Sequence, residues 1–557
     1  MISKNRWVFL VLAIIFILLR VLLLYYPEKF IPGDAGAVEG IMAKHVLEGR
    51  MNSFYIYGSH YNGGAVIEAL VAAPFFAFFG ISSLILRLSA LFLSFILLIV
   101  TYLFVKRFFG IKAAMLTTLF FVFSPPILSR YEVRAVSGYI PLLIFQVLIM
   151  YISLKILFEN RKSLINFILL GLLTAIAYWN LEFIVVLLFT VLLFWFIYDK
   201  RFFLKKNFFI FLISFLIGLI PTIYYNLTHN LANIKNLFYG TIVNKIACSY
   251  HLFSKEVAIC LEGQTFSTFM DPLDFLLTDL PSIFSSGKYY IFEVGVFELF
   301  SWIYYLLFII SFLALIWINR SSFKSLFVRI FTSKRLSFKD IRKESFIIVF
   351  MMIAMLSYMS KGTHSVRYLL LLYPFVFICM SLFTLNLFNK KDIFIKMFGV
   401  FLIIIFVGIG LFQNIDLTRA NTTVEGVGSY AEQNFEGIME LIAFLDSHNI
   451  RYIYATYFIK WKVLFESKER IIASCYYFAP CGQGGYVPPY EDIVNNADDF
   501  AYVFLHTNFK YNILLTDYLK QHNVTYNLEK MKALNVYYNL SKDVRPDDFL
   551  EEWDLIW

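Results

Sequence analysis

The sequence predicts a polytopic α-helical membrane protein with a soluble α/β domain at its C-terminal end. Of its 557 residues 60% are hydrophobic, which is more apolar surface than one globular core buries. The apolar residues gather in runs near the length that crosses a bilayer as a helix. Residues 1–412 hold 36 basic and 19 acidic residues, whereas residues 413–557 hold 12 and 20. This reversal of charge marks the predicted boundary between the two domains.

The apolar runs predict eleven membrane spans. The predicted spans are 7–26, 84–105, 113–128, 139–158, 164–180, 182–198, 208–225, 296–318, 346–360, 368–388 and 393–412. The first run is longer than the core of a signal peptide and lacks a cleavage site, so we expect it to be retained. Lysine and arginine concentrate in every second loop. The positive-inside rule therefore places the N-terminus in the cytoplasm and the C-terminal domain on the outer face of the cytoplasmic (inner) membrane.

The outer side carries two long connections, a first loop at residues 27–83 and a second long one at residues 226–295. Two helices within the first loop are predicted to lie along the membrane surface. Residues 65–80 are apolar but too short for a comfortable span, and they contain Glu68 and Pro74. Residues 35–47 place apolar side chains near helical spacing with charged side chains off that stripe, the pattern of an amphipathic interfacial helix.

The C-terminal domain alternates predicted helices and strands, which indicates a small α/β domain. Helices are predicted at 431–447 and 511–522, and strands at 452–457, 463–465, 471–474 and 501–505. Cys248 and Cys260 share the long outer loop, and Cys475 and Cys481 share the domain. Two local disulfides are expected if the outside is oxidising; other pairings and unpaired thiols stay open.

Ionisable residues are rare in the predicted spans and collect instead in the outer loops. Three loops hold them: Asp34, Glu39 and Glu68 in the first, Arg130, Glu132 and Arg134 in the second, and Lys361, His364 and Arg367 before the tenth span. Transfer of a charged side chain into hydrocarbon costs free energy, so charged residues that occur in or beside the membrane core usually have a function. A ring of such loops predicts an active site at the outer membrane surface.

Asp34 admits two interpretations. It directly precedes a predicted helix, and Asp is a favourable N-cap because its carboxylate accepts backbone N–H bonds. It is also a carboxylate at the membrane surface, a residue type that takes a proton from an acceptor. A cap and a base are compatible, although the N–H bonds lower the pKa and weaken the base.

The arginines suit an anionic substrate. Arg130 and Arg134 are four residues apart, so a helical turn would put both on one face, and the planar guanidinium donates two hydrogen bonds to one phosphate. The alternative for this pair is a loop salt bridge with Glu132. The alternative for Arg367 is a side chain that reaches from a helix end to the membrane surface.

These motifs resemble GT-C membrane glycosyltransferases, and more narrowly the relatives of protein O-mannosyltransferases and the lipid A aminoarabinose transferase. The resemblance covers residues 7–390 and leaves the C-terminal domain unmatched. It is carried by Asp34 and Glu39, the run Tyr61-Asn-Gly-Gly-Ala-Val-Ile-Glu68, residues 79–88, residues 171–179, and Arg367-Tyr368 followed by Tyr373-Pro374.

The resemblance implies an inverting glycosyltransferase, hexosyl or pentosyl, with a polyprenyl-phosphate-linked sugar as donor and a glycan, lipid or protein as acceptor. Asp34 would be the general base, and Arg367 with Arg130 or Arg134 would stabilise the departing phosphate. The remaining residues implied to bind substrate are Glu39, Tyr61, Glu68, His364 and Tyr368.

The second outer loop departs from the pattern of the protein O-mannosyltransferases. Those proteins carry an Asp at the position where this chain has Ala135. Glu132 is the candidate replacement, as a second catalytic carboxylate. Its different offset leaves the acceptor type and a divalent metal requirement open, and no other cofactor is indicated.

Two other classes of function compete with an enzyme. A polytopic lipid or glycan transporter, or flippase, predicts ionisable residues or broken helices near the midplane and often repeated halves. A membrane-anchored binding protein would use the aromatic residues of the C-terminal domain. The basic charge is assigned to cytoplasmic loops, so membrane lipid is an expected partner and nucleic acid is not.

Overall fold

The structure is a computed structural model, and it describes residues 4–25, 36–159, 161, 163–238, 270–284, 296–331, 341–360, 366–419, 437–476, 486–506, 509–531 and 534–550. Asp34, Lys361 and His364 lie outside the described residues, as do Cys248, Cys260 and Cys481.

Seventeen helices within the described residues form the membrane domain. They are α1 Lys4–Tyr25, α2 Ala37–Leu47, α3 Gly64–Phe79, α4 Ser83–Phe109, α5 Ile111–Val122, α6 Pro126–Glu132, α7 Tyr139–Phe158, α8 Leu164–Asn180, α9 Val185–Tyr198, α10 Lys206–Gly218, α11 Ile220–Thr228, α12 Ala232–Phe238, α13 Val296–Ile318, α14 Arg320–Phe331, α15 Lys343–Met359, α16 Tyr373–Phe388 and α17 Ile393–Arg419. Short helical turns occupy residues 182–184, 202–204 and 272–282, and a 3₁₀ segment at Val366–Leu372 leads into α16.

Each of the eleven predicted spans coincides with a helix or with a bent pair of helices. Six described helices are long and apolar enough to cross a membrane, or eight if each bent pair is one span. The bends are 88° between α5 and α6 and 52° between α10 and α11, and both adjoin prolines, which end the hydrogen-bond ladder of a helix. The number eleven itself stays a prediction.

Helix α3 is present at the predicted place, and its position at the membrane surface stays a prediction. At its N-terminal end the Gly63 N–H donates to the Trp179 carbonyl at the end of α8 (3.0 Å). Near its other end the Phe76 ring stacks on Phe465 of the C-terminal domain, with centroids 6.1 Å apart. Both ends therefore lie on the face that carries the C-terminal domain, which we call the domain face.

Helix α2 is present at the predicted place, but it does not have one face exposed to water. All residues from Ala37 to His45 are buried, including Glu39 and Lys44. The predicted interfacial stripe is therefore wrong, because the C-terminal domain covers the face of α2 that was expected to meet water.

The C-terminal domain is an α/β fold around one five-stranded mixed sheet. Its elements are α18 Ile438–Ser447, β1 Tyr452–Ala455, α19 Tyr457–Glu466, β2 Ile472–Cys475, α20 Tyr490–Asn495, β3 Ala501–Leu505, α21 Phe509–Gln521, β4 Asn527–Lys530, β5 Leu534–Tyr538 and α22 Pro546–Phe549. The strand order is β2-β1-β3-β5-β4, with β1 parallel to β2 and β3, and β5 antiparallel to β3 and β4. The predicted strand at 463–465 is wrong, since these residues belong to α19, and β4 and β5 were not predicted.

One face of this sheet shares a core with the membrane domain. Val38 and Ile41 of α2, Ala69 of α3, Trp461 of α19 and Val503 of β3 belong to one buried cluster. The opposite face of the sheet has its own aromatic core around Tyr502. Helices α2 and α3 are therefore packed as part of the C-terminal domain as well as of the bundle.

Candidate active site

An aromatic and cationic cluster occupies the domain face where the 3₁₀ segment leads into α16. Pro374 lies at the start of α16, where its missing N–H costs nothing, and Arg367 and Tyr368 lie in the segment before it. The Arg367 guanidinium lies 5.2 Å from the centre of the Tyr368 ring, and its Nη2 is 3.4 Å from the Tyr368 hydroxyl. The Phe183 ring packs on the other side of this group, 4.4 Å from the Tyr368 ring.

Three more phenols lie within electrostatic range of the same guanidinium. Arg367 interacts electrostatically with Tyr139 and Tyr131, and Tyr61 interacts with Arg367 and Tyr368. The Tyr131 and Tyr139 rings meet edge to face at 5.2 Å. Burial raises the pKa of Tyr61, and the positive charge of Arg367 opposes that rise. Residues of the first, second and late loops, with Tyr61 and Tyr368 among them, therefore lie around Arg367. Their role in binding substrate stays a prediction.

The first-loop motif is held in place by close backbone contacts. A Cβ on Gly64 would lie 2.5 Å from Gly138 Cα, so only glycine allows α3 to begin against the second loop. The Asn180 side chain donates to the Gly138 carbonyl at 3.0 Å. These contacts fix the Tyr61-Asn-Gly-Gly run beside the segment that carries Tyr139.

Arg130 and Arg134 are not placed by one continuous helix. Helix α6 ends at Glu132, so Arg130 is in the helix and buried, whereas Arg134 lies beyond its end. The Arg134 guanidinium is 5.9 Å from the centre of the Tyr131 ring. Arg134 thus adjoins the aromatic cluster through Tyr131, while Arg130 lies deeper in the packing.

Glu132 forms a fully buried ion pair with Arg20 of α1. Arg20 Nη2 and Nε lie 2.6 and 2.7 Å from Glu132 Oε2, and neither side chain is exposed. The same guanidinium donates to the Val122 carbonyl at 2.7 Å and to Ser124 Oγ at 2.6 Å. It therefore ties α1 to both sides of the α5–α6 bend. This geometry supports a positioning role for Glu132, and its predicted catalytic role stays a prediction.

Glu39 and Glu68 both hold the turn that follows Arg134. Glu39 Oε1 accepts from the Ser137 N–H at 2.9 Å, and Glu68 accepts from the N–H groups of Val136 and Gly138. Burial raises the pKa of Glu68 well above its usual range, and the nearby Glu39 carboxyl raises it further. Both effects favour the neutral form of Glu68, because a second negative charge beside Glu39 in a low dielectric would be repelled.

The chain reaches α2 through a contact with the second loop. The N-cap position of α2 belongs to Gly36, which has φ 89° and makes no side-chain cap, so Asp34 is not the N-cap residue. A Cβ on Gly36 would lie 2.8 Å from the Ala135 carbonyl oxygen. Asp34 itself is outside the described residues. Gly36, two residues after Asp34, packs on Ala135. Ala135 itself lies in the second loop, between Tyr131 and Tyr139 in the sequence.

One group among the described residues has the spacing of metal ligands, namely His45, Glu48 and Glu469. Its carboxylates already contact cations. Lys44 Nζ lies against Glu469 Oε2 and 2.8 Å from Glu48 Oε1, and Arg50 contacts both carboxylates. An ammonium therefore occupies the place between the two acids that a metal would take, and this group does not fit a catalytic metal.

No family model and no curated protein matches the chain. Solved structures of ArnT from Cupriavidus metallidurans share its fold at 10% identity. The apo state has TM-score 0.53 and covers 94% of this chain and 97% of that chain. The state bound to undecaprenyl phosphate has TM-score 0.54, with coverages of 97% and 99%. The apo oligosaccharyltransferase of Archaeoglobus fulgidus has TM-score 0.52 at 9% identity, with coverages of 98% and 75%.

These likenesses show the fold. They confirm the predicted fold class, a many-helix membrane domain followed by a smaller α/β domain.

Sequence reasoning missed three parts of the site. It did not pair Arg20, a charge within the first predicted span, with Glu132, although a charge in hydrocarbon needs a partner. It gave no role to Tyr131 and Tyr139 of the second loop, because nothing in the sequence distinguishes them from the many other aromatic residues. It gave no role to Glu469, whose contacts on α2 are more than 400 positions away and leave no local signal.

Proposed function

We propose that this protein is an inverting glycosyltransferase that transfers a sugar from a polyprenyl-phosphate donor to an acceptor at the outer face of the cytoplasmic membrane. The observation that carries the proposal is the convergence of the first, second and late loops on the Arg367 guanidinium, among the phenols of Tyr61, Tyr131 and Tyr139. The fold adds support, since ArnT, which shares it, has been solved with undecaprenyl phosphate.

The chemistry needs one cationic site and one base. The acceptor attacks the anomeric carbon from the side opposite the lipid phosphate, the carbon–phosphate-oxygen bond breaks, and polyprenyl phosphate leaves with the electron pair. The proton of the acceptor passes to the Asp34 carboxylate. Arg367 donates hydrogen bonds to the departing phosphate, and the neighbouring phenols donate further bonds. A phosphate leaves readily at neutral pH, so no general acid is required.

The arrangement of Arg367 suits this role. The guanidinium lies 5.2 Å from the centre of the Tyr368 ring and uses one nitrogen, Nη2, on the Tyr368 hydroxyl, which leaves further N–H donors for a substrate. Planar donors of this kind match two oxygens of one phosphate. Arg134, next to Tyr131, would add a second positive charge beside the same phenols. Glu39 and Glu68 are assigned to holding the second loop, beside the substrate.

Sugar transfer in membranes tests the proposal. Radiolabelled polyprenyl-phosphate sugars, both hexose and pentose, are offered to the wild type, Asp34→Asn, Arg367→Lys and the control Arg107→Lys at matched expression. Arg107 pairs with Glu159 on the opposite face of the bundle, so its substitution changes a guanidinium away from the site. We expect at least 100-fold less transfer for Asp34→Asn and Arg367→Lys, and an unchanged rate for the control.

The two variants separate the two roles. Asp34→Asn should retain donor binding, because the base acts on the acceptor, whereas Arg367→Lys should weaken binding of the polyprenyl phosphate product. Equal activity of Asp34→Asn and wild type would remove Asp34 as the base. Absence of transfer by the wild type from every donor would reject the proposed enzyme and favour the transporter or flippase.

A further inference from the structure

The last turn of α2 is held by one carboxylate of the C-terminal domain. Glu469 Oε2 contacts Lys44 Nζ, and it accepts from Arg50 Nη2 at 2.5 Å. Glu469 Oε1 lies 3.1 Å from His45 Nε2 and accepts from the Tyr490 hydroxyl at 2.6 Å. Its side chain is only 8% exposed. These contacts hold the pKa of Glu469 below its usual range despite its burial, so the carboxylate is charged.

The backbone at Glu469 is unusual in the same place. Lys468 and Glu469 have φ values of 55° and 62°, in the left-handed region that non-glycine residues rarely adopt. Two successive residues of this kind cost free energy that the surroundings must offset. The strained turn directs the Glu469 side chain onto the C-terminal end of α2. There it contacts Lys44 and His45 of the helix and Arg50, which lies just beyond it.

The other end of α2 is held by the membrane domain. Gly36 packs on the Ala135 carbonyl, and Glu39 accepts from the Ser137 N–H at 2.9 Å. An eleven-residue α-helix is a rigid rod of about 16 Å. Any shift of its last turn is therefore passed to its first turn, which follows Asp34 by two residues.

The domain contacts the first loop at further points. The Gly58 N–H donates to the Tyr486 carbonyl at 2.9 Å, and the rings of Tyr57 and Tyr486 meet at 5.6 Å. Tyr57 also stacks on Trp461, and its hydroxyl lies 2.8 Å from His45 Nδ1. Packed aromatic residues thus cover the Glu469 carboxylate and His45 on one side, while Arg50 remains about half exposed.

We infer that Glu469 is a positioning residue for sugar transfer: from the side of the C-terminal domain it fixes α2, the helix that follows the proposed base Asp34 in the sequence. The inference rests on the proposed function for its catalytic part, whereas the docking of α2 stands on the contacts alone. The C-terminal domain is in this view a part of the active site, and not an attached binding module.

The test compares Glu469→Gln with Asp446→Asn in the full-length protein. Asp446 is the matched control because it pairs with Arg451 and Arg470, both within the C-terminal domain. Hydrogen–deuterium exchange of the peptide that contains residues 37–47 measures the docking of α2. Transfer kinetics from the polyprenyl-phosphate sugar measure the position of the base.

We expect Glu469→Gln to speed exchange in α2 by at least tenfold and to lower kcat by about tenfold, with KM for the donor changed less than twofold. Tyr490→Phe removes one hydrogen bond to the same carboxylate and should produce smaller changes of the same sign; it serves if Glu469→Gln does not fold. Glu469→Asp should retain part of the activity because it keeps the charge. Asp446→Asn should match the wild type in both measurements.

Unchanged exchange of α2 in Glu469→Gln and Tyr490→Phe would overturn the docking role. Faster exchange with a wild-type kcat would overturn the positioning role. If the wild type transfers no sugar at all, the proposed function fails, and the exchange data alone then support or reject the docking of α2.

Discussion

The ion pair between Arg20 and Glu132 gives the sharpest test of how the site is built. Both side chains are fully buried, and the guanidinium makes four close contacts with three partners: two with Glu132 Oε2, one with the Val122 carbonyl and one with Ser124 Oγ. Replacing one partner leaves the other charge buried without compensation, which typically costs about 3–5 kcal/mol. We therefore expect Arg20→Met and Glu132→Leu each to destabilise the protein by about that amount.

The double variant Arg20→Met/Glu132→Leu should lose less than either single variant. It contains no buried charge, and the remaining loss comes from the Val122 carbonyl, at about 1–3 kcal/mol for one unsatisfied group. Ser124 Oγ keeps a partner in Ser129 Oγ at 3.1 Å. The double-mutant cycle should therefore show a favourable coupling energy of several kcal/mol between the two side chains.

The measurement is the free energy of unfolding in mixed micelles for the wild type, both single variants and the double variant, with transfer activity measured on the same samples. Losses in the double variant equal to the sum of the single losses would refute the reasoning, because the pair would then be uncoupled. Glu132→Gln adds a second decision. A stable but inactive Glu132→Gln protein would make Glu132 a catalytic carboxylate; joint loss of stability and activity would make it a positioning residue.

Two further predictions concern the helices of the first loop. Burial raises the pKa of Glu68 in the folded protein, so the ionised carboxylate destabilises the fold. This loss of stability is absent below the ordinary pKa of 4.5 and grows as the pH rises through the folded-state pKa. Glu68→Gln should therefore have a higher melting temperature than the wild type at pH 8 and a similar one at pH 4; melting temperatures that change in parallel with pH would contradict this. A Cβ on Gly40 would lie 2.6 Å from the buried Phe465 ring, so Gly40→Ala should lower the free energy of unfolding by about 1–3 kcal/mol. The control Gly408→Ala places its Cβ in open space on α17 and should not lower the free energy of unfolding. Equal stability of the two variants in the same unfolding assay would show that α2 does not pack on the domain as described.

The membrane helices could be predicted because their signal is local. A chain in hydrocarbon must satisfy its own backbone, so an apolar run of sufficient length is a helix whatever surrounds it. The strands and helices of the C-terminal domain were harder to predict. Residues 463–465 are three apolar residues in a row, which suit a strand or a buried helix equally. The edge strand β4 is mostly exposed and polar, so it shows no hydrophobic pattern.

The surroundings of α2 could not be predicted at all. Its sequence is that of a surface helix, with Glu39, Lys44 and Glu48 off an apolar stripe. Burial of Lys44 depends on Glu469, which arrives more than 400 residues later and only after the sheet has formed. The convergence of Tyr61, Tyr131 and Tyr139 on Arg367 likewise depends on three separate loops. The residue types of the site could be read from the chain, but their partners depend on tertiary packing.

The distribution of charge explains why the site needs both domains. Inside the bundle, Arg20 and Glu132 are buried as an ion pair, because either charge alone would be costly there. At the domain face, Arg367 is instead surrounded by phenols, which can turn their hydroxyl groups toward an incoming anion. Loops alone would not hold such a group in a fixed geometry at the edge of the membrane. The shared core of α2, α3 and the sheet supplies that rigidity, since it joins the first loop to a packed domain on one side and to the bundle on the other.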